Sequence, residues 1–340
     1  MRKLILIKCF QTFFLLLVLG PSISLAEMEY RIKFATVAPD GSTWMKHMRS
    51  LDQTLREKSQ GQLGFSLYPG GIAGDELDVL RKIRIGQLHC AAFSGVGIAQ
   101  ILPMVRVLDL PFLFHTQEEI TQVQNELHEY FLRQFRAKGF EFLSWAEVGD
   151  VHLFSKSPIE KISDVAGLKI WTWSGDPISK ETLVAMGTNP IPLSITDVTT
   201  ALNTGMIDTV YAPPLGALAL QWHHQVKYMT LMPLAHATGA MLISNNYFNK
   251  IPSELTNLLK VQLKVTMDEL THDLIKQTNE AIQIIQENGI KIIPMPSPEE
   301  MKAFRKVHDE VVQKLSGNQY PRELLDKIYQ ILNRSGGMTP

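Results

Sequence analysis

"QLGFSLYPGGIAGDELDVLRKIRIGQLHCAAFSG", Gln62 to Gly95, contains one complete strand–helix–strand unit. "QLGFSLYPG" predicts a strand running into a turn. "GDELDVLRKIRIGQ" predicts a helix with Leu77, Leu80 and Ile83 on its apolar side and Ile85 less cleanly aligned. Its early acids Asp75, Glu76 and Asp78 sit where the helix dipole favours negative charge. "LHCAAFSG" is wholly apolar, as a strand buried on both faces of a parallel sheet is. Short connections within such a unit imply an α/β sheet with right-handed crossovers.

The same grammar extends outward. Upstream, "YRIKFATVA" predicts a strand, and "STWMKHMRSLDQTLREKSQ" an amphipathic helix with Ser42 or Thr43 near its N-cap and Gly61 after its end. Downstream the pattern restarts at about Val148. "FEFLSWAEV" and "VHLFSK" are strand-like. "LKIWTW" leads into the helix "DPISKETLVAMG", with Pro177 near its start. "NPIPLSITDVTTALNTGMIDTVYAPP" reads as strand, helix and strand, and "ATGAMLIS" as another strand. A long helix follows, with Ser253 as its cap and Asn288-Gly289 at its end. Leu259, Leu263, Met267, Leu270, Leu274, Ala281 and Ile285 track one face. At 1.5 Å per residue it reaches roughly 50 Å, long enough to brace two lobes. "IKIIPMP" is then a strand, "SPEEMKAFRKVHDEVVQKL" a helix capped by Ser297, and Arg322 to Leu332 a terminal helix.

The chain opens with Arg2, Lys3 and Lys8, an apolar run "FFLLLVLG", and "SLA" before Glu27. This is the pattern of a secretory signal peptide over residues 1–26, cleaved after Ala26, and it predicts a periplasmic protein. Without Arg2, Lys3 and Lys8, 30 basic residues face 34 acidic ones, a balance of −4. No basic stripe exists, which argues against a nucleic-acid partner. Cleavage also removes Cys9 and leaves Cys90, so no internal disulfide can form and the fold rests on its core. Cys90 itself reads as a buried strand residue.

Catalytic motifs are missing. There is no P-loop, no GxSxG, no HExxH and no CxxC, and Gly95-Val96-Gly97 is too short to mean dinucleotide binding. His223 and His224 are sequence neighbours and point apart, which fits capping or solvation better than one metal site. No nucleophile, base and orienter fall together. The weight moves to binding: no enzyme, no cofactor and no metal are expected.

Several segments then carry a family resemblance over essentially the whole mature length. "IKFATVAPDGSTWMKHM", "LYPGGIAGDELDVLRKIRIGQLHCAAFS", "VLDLPFLF" (Val107–Phe114), "DVAGLKIW", "LSITDVTTALNTGMIDTVYAPP" and "VKYMT" occur in the order found in the extracytoplasmic solute-binding proteins of TRAP transporters, the DctP type, which the chain therefore resembles. The resemblance implies a two-lobed periplasmic-binding-protein fold, type II-like, each lobe a mostly parallel sheet flanked by helices. It places lobe I at 27–147 and 238–280, lobe II at 148–237 and 281–316, and a C-terminal helix and tail at 317–340. It implies one ligand in the cleft, hinge closure, and hand-over to TRAP permease membrane subunits.

Departures from the common branch set the expected site. Where that branch has a carboxylate-gripping arginine after "GLKI", this chain has Trp171. A second basic position is Asp150, and a ligand-binding asparagine is Ala212. The often polar end of the third strand reads Phe93-Ser94, and a frequent pocket aromatic is Ile195. Trp171 and Trp173 share a strand face, because side chains alternate. With Tyr211, Pro213 and Trp44 they would line a cleft for an apolar, aromatic or amphiphilic, lipid-like ligand. The plainer alternative is that Trp171 only fills the arginine's space. His152 and His236 read as satisfied structural histidines. "KIWTWSGDP" and "DTVYAPPLGALALQW" further resemble a branch associated with a TPR-repeat periplasmic protein. Three alternatives stay open: an organic acid held by backbone amides, water or a cation; a secreted enzyme on the same fold; and a structural partner with a collapsed cleft.

Overall fold

A computed structural model describes residues 28–334. The expected signal peptide and cleavage site, Cys9 and the last six residues of the chain lie outside the described residues.

The described residues form ten strands: β1 (Tyr30–Ala35), β2 (Leu63–Tyr68), β3 (Cys90–Ser94), β4 (Phe140–Ser155), β5 (Trp171–Trp173), β6 (Ile191–Leu193), β7 (Thr209–Ala212), β8 (Tyr228–Thr230), β9 (Ala235–Ser244) and β10 (Lys291–Ile293). The helices that matter here are α1 (Thr43–Lys58), α2 (Glu76–Arg84), α3 (Gln117–Ala137), α4 (Pro177–Ala185), α5 (Val198–Thr204), α6 (Pro214–Ala219), α7 (Ser253–Glu287), α8 (Pro298–Leu315) and α9 (Arg322–Arg334).

The opening unit forms as its pattern predicts. β2, β1 and β3 pair in parallel, and α2 lies between β2 and β3. Beyond them the sheet is mixed rather than mostly parallel. The order is β10-β8-β4-β9-β3-β1-β2, with β7 also on β4. β9 runs antiparallel to β3 and to β4, and β4 runs antiparallel to β7 and β8. The cause is β4. Its two strand signals fuse into one strand of 16 residues that passes from one lobe to the other beside β9. The register slips between Phe142 and Ser144 and again between Glu147 and Gly149. Gly149 takes φ +105°, a conformation glycine adopts without steric cost. β5 and β6 form a separate parallel pair, tied to β7 by the Ile170–Thr209 bridge.

α3, 21 residues long, was not anticipated by the strand–helix pattern. Its signal is nonetheless present: a Thr116 N-cap and buried Ile120, Val123, Leu127, Phe131 and Phe135 at spacings of three and four. α7 is one continuous helix of 35 residues that packs on α1, β4 and α6, and so braces both lobes. Ser253 is its first helical residue; Pro252 stands at the cap and no side chain caps the end. α8 begins with a full capping box, Ser297 and Glu300. Cys90 is fully buried and unpaired.

The core has three parts. Phe34, Phe65, Met45 and Leu259 join α1 and α7 to the first lobe's sheet. Trp171, Trp222, Phe154 and Val210 form the second lobe's core. The third part runs from Leu80 and Val107 through Phe131 to Leu183, Phe304 and Leu325, and joins the lobes behind the cleft.

Candidate ligand-binding cleft

Between the lobes lies a cavity of about 580 Å³, the size of pocket that takes a drug-sized molecule. Trp44, Phe93, Ser94, Trp171, Trp173, Ile195, Tyr211, Ala212 and Pro213 all line it. Asp150 does not. Its half-exposed carboxylate accepts from His236 Nδ1 at 3.1 Å, at the strand crossing outside the cavity wall. The β4 bulge at Gly149 turns it there.

One wall is aromatic because β5 places two indoles on one face. The Trp171 and Trp173 rings lie 5.9 Å apart. Trp171 stacks on Tyr211 at 4.8 Å and meets Trp222 edge-on at 5.4 Å. Its Nε1 donates to the Leu193 carbonyl at 3.0 Å, so the buried N–H is satisfied. Trp171 therefore both fills the second lobe's core and faces the cavity. Trp173 Nε1 donates to Asp75 Oδ2 at 3.0 Å, and Ser194 Oγ donates to the same oxygen at 2.7 Å. Asp75 caps α2 in the first lobe, so these two bonds cross the cleft. Trp222 also lines the cavity, and its Nε1 donates to Thr199 Oγ1 at 3.2 Å. The sequence pattern does not mark it, because its partners are remote in the chain.

A second part of the lining is polar and acidic. Arg106, 5% exposed, is the one Arg or Lys among the described residues of the lining. Its Nη1 donates to Asp109 Oδ2 at 2.6 Å and its Nη2 to Asp176 Oδ1 at 2.6 Å. Burial disfavours its charge, but the Asp176 and Asp109 carboxylates outweigh burial and hold the guanidinium ionised. A Cβ at Gly95 would lie 1.9 Å from Arg106 Nη1 and 2.1 Å from Asp109 Oδ2, so only glycine lets this pair settle against the turn after β3. The signal in the sequence was a lone arginine in the apolar run "PMVRVLDLPFLF".

Glu76, the acid expected at the start of α2, is buried there: it is 2% exposed. Oε1 accepts from Ser94 N at 2.7 Å, and Oε2 accepts from Ser94 Oγ at 2.9 Å and Gly97 N at 2.7 Å. Burial pushes its carboxyl up to about 7; the Ser94 and Gly97 hydrogen bonds oppose the rise and the Asp75 charge adds to it. His236 lines the cavity with Nε2 3.5 Å from Glu147. Burial disfavours its charged form, yet the Asp150 hydrogen bond and the Glu147 charge leave its imidazole raised.

His152 and His223 have structural partners. His152 Nδ1 meets the Thr230 carbonyl at 3.0 Å. His223 is buried rather than solvated, and its Nδ1 meets Ala217 O in the last turn of α6 at 3.3 Å, which is a capping contact. Four carboxylates (Glu76, Asp109, Glu147 and Asp176) thus share the lining with one arginine and one histidine.

Two α/β lobes, linked by paired crossing strands and enclosing a cleft, define a periplasmic-type solute-binding protein. The model of the bacterial extracellular solute-binding protein family 7, DctP, matches residues 34–318. The chain is 23% identical over 296 residues to the C4-dicarboxylate-binding periplasmic protein DctP of Rhodobacter capsulatus, covering 84% of this chain and 87% of that one. It is 21% identical over 297 residues to the sialic acid-binding periplasmic protein SiaP of Vibrio cholerae, covering 84% and 88%. The structure of the sugar acid binding protein DctPAm of Advenella mimigardefordensis, in complex with galactonate, superposes with a TM-score of 0.85 at 20% identity, covering 91% of this chain and 99% of that one. The protein belongs to the DctP family of TRAP-transporter solute-binding proteins, which are receptors and not enzymes.

Proposed function

We propose that this protein is a periplasmic receptor that captures an apolar, aromatic or amphiphilic ligand between its lobes and delivers it to TRAP permease membrane subunits. One observation supports this ligand class above others: the one Arg or Lys of the described lining is already held by two carboxylates, while four indole and phenol rings form one wall. Ligands named for the relatives, such as a C4-dicarboxylate or galactonate, carry a carboxylate. Here such a group would meet Glu76, Asp109, Glu147 and Asp176 and find no free cation among the described residues. Trp44, Phe93, Ile195, Ala212 and Pro213 would contact the ligand's apolar body, and Ser94 its polar end.

The lobes meet where β4 and β9 cross, near residues 148 and 237, and closure rotates them there. Ligand that binds the closed form better holds the lobes together, and the permease reads that form. The amino-terminal leader delivers the protein to the periplasm. A ligand of this kind is poorly suited to open water, and a TPR-repeat protein in the periplasm would shield it during transfer. Co-purification of permease subunits without any helical-repeat protein would remove that partner. A second reading, an organic acid as ligand, rests on Arg106 itself lining the cavity.

The test is mass spectrometry on an organic extract of the protein purified from its own host's periplasm. The expected result is a stoichiometric lipid-like or aromatic compound, lost in Trp171→Arg. A stoichiometric small carboxylate would overturn the apolar reading in favour of the second.

A further inference from the structure

We propose that Asp176 determines the specificity of the cleft: it is a built-in carboxylate that occupies the buried arginine from across the cleft and so, granted the receptor role proposed above, excludes a ligand carboxylate. Arg106 lies in the 3₁₀ turn Pro103–Asp109, which packs on β9 and on the turn after β3. Asp176 lies at the N-cap of α4, after β5, in the other lobe. The Nη2–Oδ1 distance is 2.6 Å, and the Arg106 and Asp176 side chains are 6% and 4% exposed. A guanidinium and a carboxylate so placed form the pairing that a receptor would otherwise make with its ligand.

The occupancy is not a by-product of neutralisation. Asp109, three residues from Arg106 and only 2.6 Å away, already supplies one counter-charge from the same segment. Asp176 adds a second from 70 residues away. The two acids and one arginine leave this corner with a net negative charge. Yet the guanidinium is not saturated, since its buried Nε has no partner. Shortening Asp176 to serine therefore leaves an arginine with an open Nη2 and an unpartnered Nε in a lined cavity, while asparagine removes the competing charge and leaves a neutral acceptor that an anion can displace.

Asp176 Oδ1 also accepts from Ile178 N at 3.0 Å and Ser179 N at 3.3 Å. Asp176→Ser and Asp176→Asn both keep a capping oxygen there, so α4 retains its start. Each variant, checked for a cooperative melt, would be titrated calorimetrically with succinate and with gluconate beside the unmodified protein. The expected result is that the unmodified protein binds neither at millimolar concentration. At least one variant should gain binding of tenfold or more, and adding Arg106→Gln should abolish the gain. Equal binding by the unmodified protein, or folded variants that bind neither acid, would overturn the proposal. The receptor role fails separately, on a native preparation that carries no cargo and gains no stability from any extracted compound.

Discussion

The two walls of the cleft were built by different physics. The aromatic wall of Trp171, Trp173, Tyr211 and Trp222 is held by ring packing, with each indole N–H satisfied by a neighbour. The polar wall of Glu76, Arg106, Asp109 and Asp176 is held by buried charge. A packed ring tolerates losing a contact in proportion to the area lost. A buried charge tolerates almost nothing, since removing one partner strands the other without solvent. The difference teaches that substitutions in the aromatic wall should cost stability gradually, while those that break a pair in the polar wall should cost it steeply.

The largest break in this comparison comes from Arg106→Ala. It leaves Asp109 and Asp176 buried without their cation and should cost about 3–5 kcal/mol of stability. Urea unfolding checks it, with Arg106→Ala, Asp109→Asn, Asp176→Asn expected to recover much of the loss. If the single variant is as stable as the parent, the clamp does not hold the lobes.

pH sharpens the comparison next. Glu76 binds its proton more tightly in the folded state, about 7 against 4.5. The folded protein thus holds more protons than the unfolded chain between those values, and stability falls as pH rises from about 5 to 7. The fall is at most about 3 kcal/mol, because a tenfold change in proton affinity is worth about 1.36 kcal/mol. The raised His236 has the same sign: its contribution is full below 6.5 and lost as pH rises through the folded value. His89, His152, His223 and His308, whose charge burial disfavours, act in the opposite sense, so the Glu76 effect is read as a difference: denaturation midpoints at pH 5, 6, 7 and 8 should show the parent losing ground to Glu76→Gln as pH rises. A parent-minus-variant difference that stays constant over this range would contradict the burial of Glu76.

The smallest effect belongs to Asp150→Asn. The side chain is 52% exposed and lies outside the cavity lining. Stability should change by less than about 1 kcal/mol, and the bound compound should be unchanged by mass spectrometry. Loss of that compound would move Asp150 back into the site.

Much of the aromatic wall was legible before any coordinates. Alternation along "IWTW" puts both indoles on one face, and turn residues after them mark a strand end, where clefts of α/β folds open. Almost none of the polar wall was. Asp75 and Glu76 read as dipole acids of α2, and nothing local separates a solvated acid from one folded under Ser94 and Gly97. The resemblance put Asp150 at the cleft, with a solvated loop acid as the equal alternative; the bulge that turns it outward is a register slip, which a linear pattern does not record.

By itself the sequence determined the elements and the membership. Strand–helix alternation, the caps of α2, α4 and α8, and the long apolar stripe of α7 are local consequences of side-chain spacing and capping chemistry. Only the tertiary structure decided which charges meet. Arg106 and Asp176 are 70 residues apart, Trp173 and Asp75 98 apart, and Ser194 and Asp75 119 apart. Those pairs exist because β4 and β9 cross between the lobes and bring two separately folded strand ends face to face. Partner choice across a cleft is a property of that closure, and no periodicity along the chain encodes it.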